Sequence, residues 1–255
     1  MLPRFLILVP ICTSLALAQD QSPVEPVSLP APDQAVEPVT PAVKKLDATR
    51  YQIGGVVFDE KSREIRFPTR VNMTEGLLEF LIVHQNGKVH EALLSTEISP
   101  TQLNLAFTLL RYTASKELYP LPNETGGTSG NFPEVPAEIK AAARVTIDVE
   151  WSDAEGKVRR VPVNEWIQHA VKTSAMPAGP WVYGGSVFNE TSFAAEASGD
   201  VAAIFLSMEA LLNYPGEDNS DDTVWTPFPK RVPPQGTHVT VIIAPYPNPK
   251  ALPKP

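Results

Sequence analysis

Apolar and polar residues alternate over several short stretches, which is the pattern of strands with one face in a core. The clearest example is 143–151, where Val145, Ile147, Val149 and Trp151 fall on one face. Similar stretches predict strands at 51–58, 63–71, 157–163, 181–188, 200–206 and 237–244. Because short turns and not long helices separate these stretches, the pattern predicts a mostly antiparallel sheet.

A β-hairpin is predicted around Asn86-Gly87, a dipeptide that tolerates the positive φ angles of a tight turn. Its strands would be 77–84 and 88–94. With a two-residue turn, His84 and His90 point to opposite faces of the hairpin. A three-residue turn with a bulge at Gly87 shifts the register by one and puts both histidines on one face. The sequence leaves both registers open.

One main helix is predicted at about 100–113, because Ser99 supplies an N-cap, Pro100 suits the first turn and apolar residues follow at helical spacing. Shorter helices are predicted near 164–171 and 208–212. Together with the strands, these elements predict an α+β fold: a mostly antiparallel β domain with one main helix.

The two ends of the chain differ in composition from its middle. Arg4 precedes an apolar run that closes with Ala16-Leu17-Ala18, the pattern of a secretory signal peptide at 1–18. The run is shorter than the ~20 residues of a membrane span, so no transmembrane segment is expected. Residues 19–46 contain six prolines and no aromatic residue, which predicts a Pro-rich disordered linker. A single globular domain is then expected at 47–245, followed by a Pro-rich tail at 246–255.

Composition excludes several classes of function. The 255-residue chain has a net charge of −8, which argues against binding nucleic acid through its phosphates. Its one cysteine, Cys12, lies in the predicted signal peptide and cannot form an internal disulfide framework or a cysteine-ligated cluster.

His84, His90 and Glu91 are the densest group of metal-ligating residue types. Two imidazoles and a carboxylate can hold Zn²⁺ or another divalent cation and leave a position open for water. The alternative is that one histidine is exposed while the other makes structural hydrogen bonds. Since there is no H-E-x-x-H motif and no second histidine pair, the pattern favours this alternative.

Three other features have weaker claims to chemistry. Gly184-Gly185-Ser186 is not followed by the last glycine of G-x-S-x-G, so its glycines are predicted to allow close backbone packing. The acidic loop 217–222 lacks the glycine and distant glutamate of an EF-hand and is expected to be solvated. Aromatic residues within strands are expected in the core, or on a face that stacks against carbohydrate: Trp151, Trp166, Trp181, Tyr183, Trp225 and Phe228.

Residues 78–110 read LEFLIVHQNGKVHEALLSTEISPTQLNLAFTLL. This stretch resembles the YdjY-type domain of exported bacterial proteins, which carries a similar strand, a Gly-Lys turn, a His-Glu pair and a helix after Thr-x-x-x-Pro. The similarity continues at 147–151, 164–167, 181–186 and 233–239, and covers about 52–245. It implies no particular activity, because the family has no established function. The iron–sulfur segment that some members carry is not expected here, where its cysteines are missing.

These observations favour an exported, non-catalytic binding or structural module whose partner is an envelope protein or a glycan. The alternative is a metal-dependent, hydrolase-like enzyme centred on His84, His90 and Glu91. No cofactor is expected beyond the divalent metal of that alternative. The expected location is periplasmic or extracellular.

The signal peptide gives the first testable prediction. Cleavage after Ala18 should leave Gln19 as the first residue of the exported protein, because small residues stand at the −3 and −1 positions. N-terminal sequencing of exported protein tests this. Retention of Met1, or a lipid on Cys12, would contradict it.

Overall fold

A computed structural model describes residues 42–125, 127–189 and 192–247. The predicted signal peptide, most of the predicted linker and most of the predicted tail lie outside these residues.

Strands dominate the described part of the chain, as predicted. The helices are α1 (Pro100–Leu109), α2 (Ala137–Ala142) and α3 (Ala194–Ser198). The strands are β1 (Val43–Lys45), β2 (Arg50–Ile53), β3 (Val56–Asp59), β4 (Ile65–Val71), β5 (Phe80–His84), β6 (Ala92–Thr96), β7 (Arg144–Ser152), β8 (Val158–Pro162), β9 (Ile167–His169), β10 (Trp181–Tyr183), β11 (Asp200–Ala203), β12 (Leu212–Asn213), β13 (Trp225–Pro227) and β14 (His238–Pro245).

Eight strands close into a barrel in the order β4-β14-β7-β10-β12-β11-β5-β6, and β6 pairs back to β4. Outside this ring, β1, β2 and β3 extend the sheet from β4, β8 pairs with β7, and β9 and β13 form a separate pair. Alternate side chains fill the interior, including Phe67 of β4, Ile147 of β7 and Trp181 of β10. The alternation read from the sequence therefore marks the inward faces of β4 and β7 correctly.

The predicted hairpin at Asn86-Gly87 is wrong. β5 and β6 are parallel neighbours, with Ile82 opposite Leu94 and His84 opposite Thr96. Residues 85–91 return from the end of β5 to the start of β6. Seven residues are enough to cover the length of the five-residue strand, because each residue spans up to ~3.3 Å. Both strands are buried through most of their length, which is typical of parallel strands with both faces covered.

Gly87 has a packing role in place of the predicted turn. A Cβ atom at Gly87 would lie 2.9 Å from the carbonyl oxygen of Ser198 and 3.4 Å from the Cα of Gly199. The segment that follows β5 can therefore lie close against the end of α3 only because residue 87 lacks a side chain.

The helices differ in extent from their predicted positions. α1 has the predicted cap at Ser99, but it ends at Leu109 and Arg111 turns out of the helix with φ 57°. The helix predicted near 164–171 is a short 3₁₀ turn, Val163–Trp166, followed by β9. The helix predicted near 208–212 is a bend followed by β12. Both predictions fail because strand pairing, with β13 and with β10 and β11, overrides the local helical spacing.

β1 lies within the last residues of the segment predicted as a linker. Its three residues pair with β2, from Val43 opposite Ile53 to Lys45 opposite Tyr51, and their side chains are exposed. An exposed strand held by backbone hydrogen bonds has no apolar periodicity to detect, which is why the sequence pattern missed it.

The glycines that follow β10 allow the close packing that the sequence predicts. A Cβ atom at Gly184 would lie 2.7 Å from two carbons of the buried Tyr119 ring. The Tyr119 hydroxyl in turn donates a hydrogen bond to the carbonyl oxygen of Ala210, 3.1 Å away. Gly185 has φ 72°, a conformation that favours glycine.

Gly184→Ala should therefore destabilise the protein by about 1–3 kcal/mol, the usual range for overpacking a filled core. Chemical denaturation measures the change in free energy of unfolding. Gly179→Ala is the matched control, because a Cβ atom there has no other atom within 4 Å. Equal stability of the two variants would show that Tyr119 moves away without cost.

Candidate functional site

One edge of β4 pairs with β3 near the start of the strand and with β6 near its end. The change of partner leaves a gap in the sheet on the outer surface of the barrel. On one side β4 pairs with β3 at Arg66 and with β6 at Arg70, so neither strand covers the residues between. Pro68 lies in this gap. Its carbonyl oxygen points into the gap and accepts a hydrogen bond from Thr96 Oγ1 at 2.7 Å. Because proline has no N–H, no backbone donor is left unpaired beside that carbonyl.

A cavity of about 190 Å³ lies over the gap, and we call it the β4 cleft. Strand β4, the end of β6 and the start of β14 form its walls. Its lining residues are Pro68, Thr69, Arg70, Gln85, Ser95, Thr96, Glu97, Ile98 and His238. Most of them are polar, and Arg70, Gln85, Glu97 and His238 are largely exposed. The cleft is therefore open to solvent and combines polar side-chain groups with apolar surface.

Arg70 and His238 face each other across β4 and β14 on the outer side of the barrel. Arg70 Nη1 lies 2.9 Å from His238 Nε2. Because arginine is always protonated, the guanidinium donates and the imidazole nitrogen accepts. Arg70 forms no ion pair with a carboxylate of the described residues, whereas the neighbouring Arg66 pairs with Glu150 at 2.7 Å.

Two further cavities lie beside the β4 cleft, toward the end of the barrel where β14 begins and β7 ends. The second, of about 310 Å³, shares Pro68, Thr69 and His238 with the cleft. The third, of about 500 Å³, shares Trp151 and Ser152 with the second and reaches the loop 230–234. Trp151 is partly exposed, and its ring lies on the core side of β7, where it contacts the buried Trp166 edge-on with centroids 4.9 Å apart.

Comparison with known proteins gives a family. The family description named YdjY domain matches residues 56–244, about three quarters of the chain. The chain belongs to the YdjY domain family. No curated protein and no solved structure shows significant similarity to it. The match confirms the resemblance seen in the sequence, and it includes the strands that build the β4 cleft.

In this YdjY domain, the residues of the predicted metal site lie at two ends of one strand pair. His84 ends β5, and its Nδ1 accepts a hydrogen bond from the N–H of Asn86 at 3.3 Å. His90 precedes β6, and its Nε2 lies 3.7 Å from Glu91 Oε2. Because β5 and β6 are parallel, His84 is separated from His90 and Glu91 by the length of β5. Within 42–125, 127–189 and 192–247, no three His, Cys, Asp or Glu side chains are grouped so that they could hold a metal.

Two carboxyl groups near Lys88, those of Glu79 and Asp200, have raised pKa values. Burial raises the pKa of Glu79, and the nearby carboxylates of Glu91 and Asp222 raise it further. Burial likewise raises the pKa of Asp200, whose Oδ2 accepts from Ser207 Oγ at 3.1 Å and lies 3.6 Å from Lys88 Nζ. Asp200 Oδ1 has no hydrogen-bond partner among the described residues. Lys88 is thus the cation that offsets a group of carboxylates.

Ser186 is not available as a nucleophile. It is buried, its Oγ donates to the carbonyl oxygen of Glu209 at 2.6 Å, and it accepts from the N–H of Ala195 at 3.0 Å. Lys116 donates to the carbonyl oxygens of Gly184 and Ser186, at 2.7 and 2.5 Å, and burial lowers its pKa. These contacts hold the turn after β10.

The acidic loop 217–222 is tied to its surroundings by side-chain contacts. Asp218 Oδ2 lies 3.3 Å from Nε2 of the buried His169 and 3.2 Å from Lys172 Nζ. Asp221 Oδ1 accepts from the N–H and the hydroxyl of Thr223. His169 and Asp218 are therefore a structural pair, which the sequence did not predict because 49 positions separate them.

Sequence reasoning also missed Arg70. The alternation in 63–71 places it on the outward face of a strand, where a charged residue is ordinary. What distinguishes Arg70 is the gap beside Pro68 and its pairing with His238, and both depend on strand order.

None of the helices in the described ranges is long and apolar enough to cross a membrane.

The raised pKa of Glu79 gives a prediction about stability and pH. A carboxyl group with a raised pKa stabilises the folded state while it is protonated, and this contribution is lost as the pH rises above the ordinary value of about 4.3. Glu79→Gln cannot ionise, so it should be more stable than the parent at pH 7 and similar to it near pH 4. Denaturation curves across this pH range measure the difference.

Glu75→Gln is the control, because Glu75 is exposed and is not among the carboxylates that act on Glu79. A Glu79→Gln variant that is less stable than the parent at pH 7 would show that attraction between Glu79 and Lys88 outweighs burial and the nearby negative charges.

Proposed function

We propose that this YdjY domain is a non-catalytic binding module and that the β4 cleft is its ligand site. The observation that carries the proposal is the contact of Arg70 with His238 and not with a carboxylate. Its guanidinium faces a solvent-open cavity and is held by an imidazole nitrogen in place of a carboxylate. An arginine without an acidic partner keeps most of its five N–H donors for a ligand.

The walls of the cleft support the same proposal. Arg70 and His238 lie on paired strands and Ser95 lies on β6, so the backbone of the barrel fixes their spacing. A rigid site loses little conformational freedom when a ligand binds. Gln85, with amide donors and an acceptor, and Glu97 line the same cavity, so the cleft can recognise a ligand group that both donates and accepts hydrogen bonds.

The sequence candidates for catalysis have structural contacts that support a binding role. Ser186 is buried and hydrogen-bonded to backbone groups, and His84 lies apart from His90 and Glu91. We further propose that the module acts outside the cytoplasm, on an envelope protein or glycan. Arg4 and the apolar run ending at Ala18 support this part of the proposal.

Titration of ¹⁵N-labelled protein with small probes tests the site. Acetate, N-acetylglycine and glucose should shift backbone amide signals around Arg70, Thr96, Ile98 and His238 for the probes that bind. Arg70→Gln should raise the dissociation constant for acetate at least about 10-fold, since a charge-assisted hydrogen bond is worth ~1.5–3 kcal/mol. Lys61→Gln, a matched change of an exposed cation outside the cleft, should leave the dissociation constant for acetate unchanged.

Two results would overturn the proposal. Probe shifts that cluster away from the β4 cleft, in the parent and in Arg70→Gln alike, would place binding elsewhere. Stoichiometric zinc or iron in the purified protein, lost in His90→Ala while the fold is retained, would instead favour a metal-dependent enzyme centred on His84, His90 and Glu91.

A further inference from the structure

We propose that Lys88 and Asp200 form an intramolecular isopeptide bond, an amide between the lysine amine and the aspartate carboxyl group. This inference goes beyond the proposed binding function and is independent of the β4 cleft. It rests on the position of the two side chains, on the complete burial of Asp200 and on a carboxylate oxygen that Asp200 leaves unpaired.

Two glycines bring the side chains together. A Cβ atom on Gly199 would lie 3.1 Å from the Cα of Gly87, so the two backbones are in contact. The N–H of His84 also donates to the carbonyl oxygen of Gly199 at 2.7 Å, which fixes the end of β5 against the start of β11. Lys88 follows one glycine and Asp200 follows the other. As a result, Lys88 Nζ lies 3.6 Å from Asp200 Oδ2.

The surroundings of Asp200 are dry. Its side chain has no exposed surface, and it lies opposite Val83, a member of the small apolar cluster that also contains Phe80 and Ala203. Lys88 Nζ lies over the Phe80 ring, 4.7 Å from the centroid. Because a charged carboxylate loses its hydration in such surroundings, burial raises the pKa of Asp200. This lowers the cost of moving a proton from Lys88 to Asp200.

The unpaired oxygen of Asp200 distinguishes it from an ordinary structural carboxylate. Oδ1 is buried and has no hydrogen-bond partner among the described residues, although buried polar atoms in folded proteins are nearly always paired. Oδ2 accepts from Ser207 Oγ at 3.1 Å. In an amide with Lys88, only one carboxyl oxygen remains and the other leaves as water. Formation of the bond therefore removes the unpaired oxygen from the interior.

The reaction balances without an oxidant, a reductant or a co-reactant. A proton moves from the Lys88 ammonium to Asp200 Oδ1, and the lone pair of the neutral Nζ then attacks Cγ. The Nζ–Cγ bond forms while the Ser207 hydroxyl stabilises the negative charge on Oδ2. Nζ gives a second proton to Oδ1, the Cγ–Oδ1 bond breaks and water leaves. The Lys88 side chain is 45% exposed, so this water has a path to solvent.

A second lysine shows why proximity alone is insufficient. Lys140 Nζ also lies 3.6 Å from a buried carboxylate, that of Glu117. Arg144 pairs with the other oxygen of Glu117 and favours the ionised form of the carboxylate, which is a poor acceptor for an amine. Asp200 has no arginine partner among the described residues. Contact between Lys88 and a carboxyl group that can become neutral makes the reaction effectively unimolecular.

Intact-mass spectrometry of the purified full chain tests the proposal. Once N-terminal sequencing has fixed the first residue, the measured mass should be lower than the mass of the sequence by one water molecule. A tryptic digest should contain a branched peptide that joins the segments with Lys88 and Asp200. Lys88→Arg keeps a cation beside Asp200 but does not form the amide, so this variant should have the full mass of its sequence.

The matched control is Lys140→Arg, which changes the lysine at the same distance from a buried carboxylate and should keep the loss of water. Ser207→Ala removes the hydrogen bond to Oδ2. It should slow bond formation at least about 10-fold, measured by mass at intervals after cell-free synthesis. Lys88→Arg should also unfold at a lower temperature than the parent, because a covalent link between distant residues restricts the unfolded chain.

Asp200→Asn identifies the acceptor even if Lys88→Arg fails to fold. Attack on an amide side chain releases ammonia, so any mass that this variant loses should be that of ammonia. Loss of water from Asp200→Asn would overturn Asp200 as the acceptor. The full sequence mass in the parent would overturn the proposal and leave Lys88 and Asp200 as an ion pair. A loss of water that persists in Lys88→Arg would also overturn it, because the dehydration would then lie elsewhere in the chain.

Discussion

Closure of the barrel depends on β4 pairing with different neighbours along one of its sides. On its other side, β4 pairs with β14 without interruption from Ile65 to Arg70, so β14 fixes the direction of the strand. On the side that changes, β3 leaves the strand at Arg66 and β6 joins it at Arg70. The ring could not close without the second pairing, and β1 to β3 could not extend the sheet without the first. The uncovered residues between them are the consequence, and Pro68 is a residue that tolerates that position.

The interior of the barrel could be read from the sequence because it follows a local rule. In β7, Val145, Ile147 and Val149 are buried, as the alternation of apolar and polar residues predicts. A strand with one face in a core and one in solvent shows this pattern whatever its neighbours are. The Ser99 cap of α1 was likewise predictable, because a cap acts on the N–H groups of its own first turn.

The pairing of β5 with β6 could not be read in the same way. Both strands are apolar on both faces, so their sequences carry no alternation that would fix direction or register. Asn86-Gly87 is a dipeptide typical of hairpin turns, and this local pattern led to the wrong prediction. Residue 87 is a glycine because its backbone packs against Ser198, more than a hundred positions away. The candidate site shares this property. Arg70 and His238 are separated by 168 positions, and only strand order brings them together.

Local charge, and not the charge of the whole chain, decides what the outer face can attract. Net charge acts through the summed field, but at physiological ionic strength salt screens interactions between exposed charges beyond about 8 Å. Within that distance, pairs such as Arg66–Glu150 and Arg160–Asp148 cancel over much of the outer sheet. Where an arginine instead faces an imidazole, as Arg70 does, its guanidinium is not in an ion pair with a carboxylate of the described residues, although Glu97 lines the same cleft. An acidic protein can therefore keep a guanidinium free of ion pairs wherever its fold separates one arginine from the carboxylates that neutralise the others.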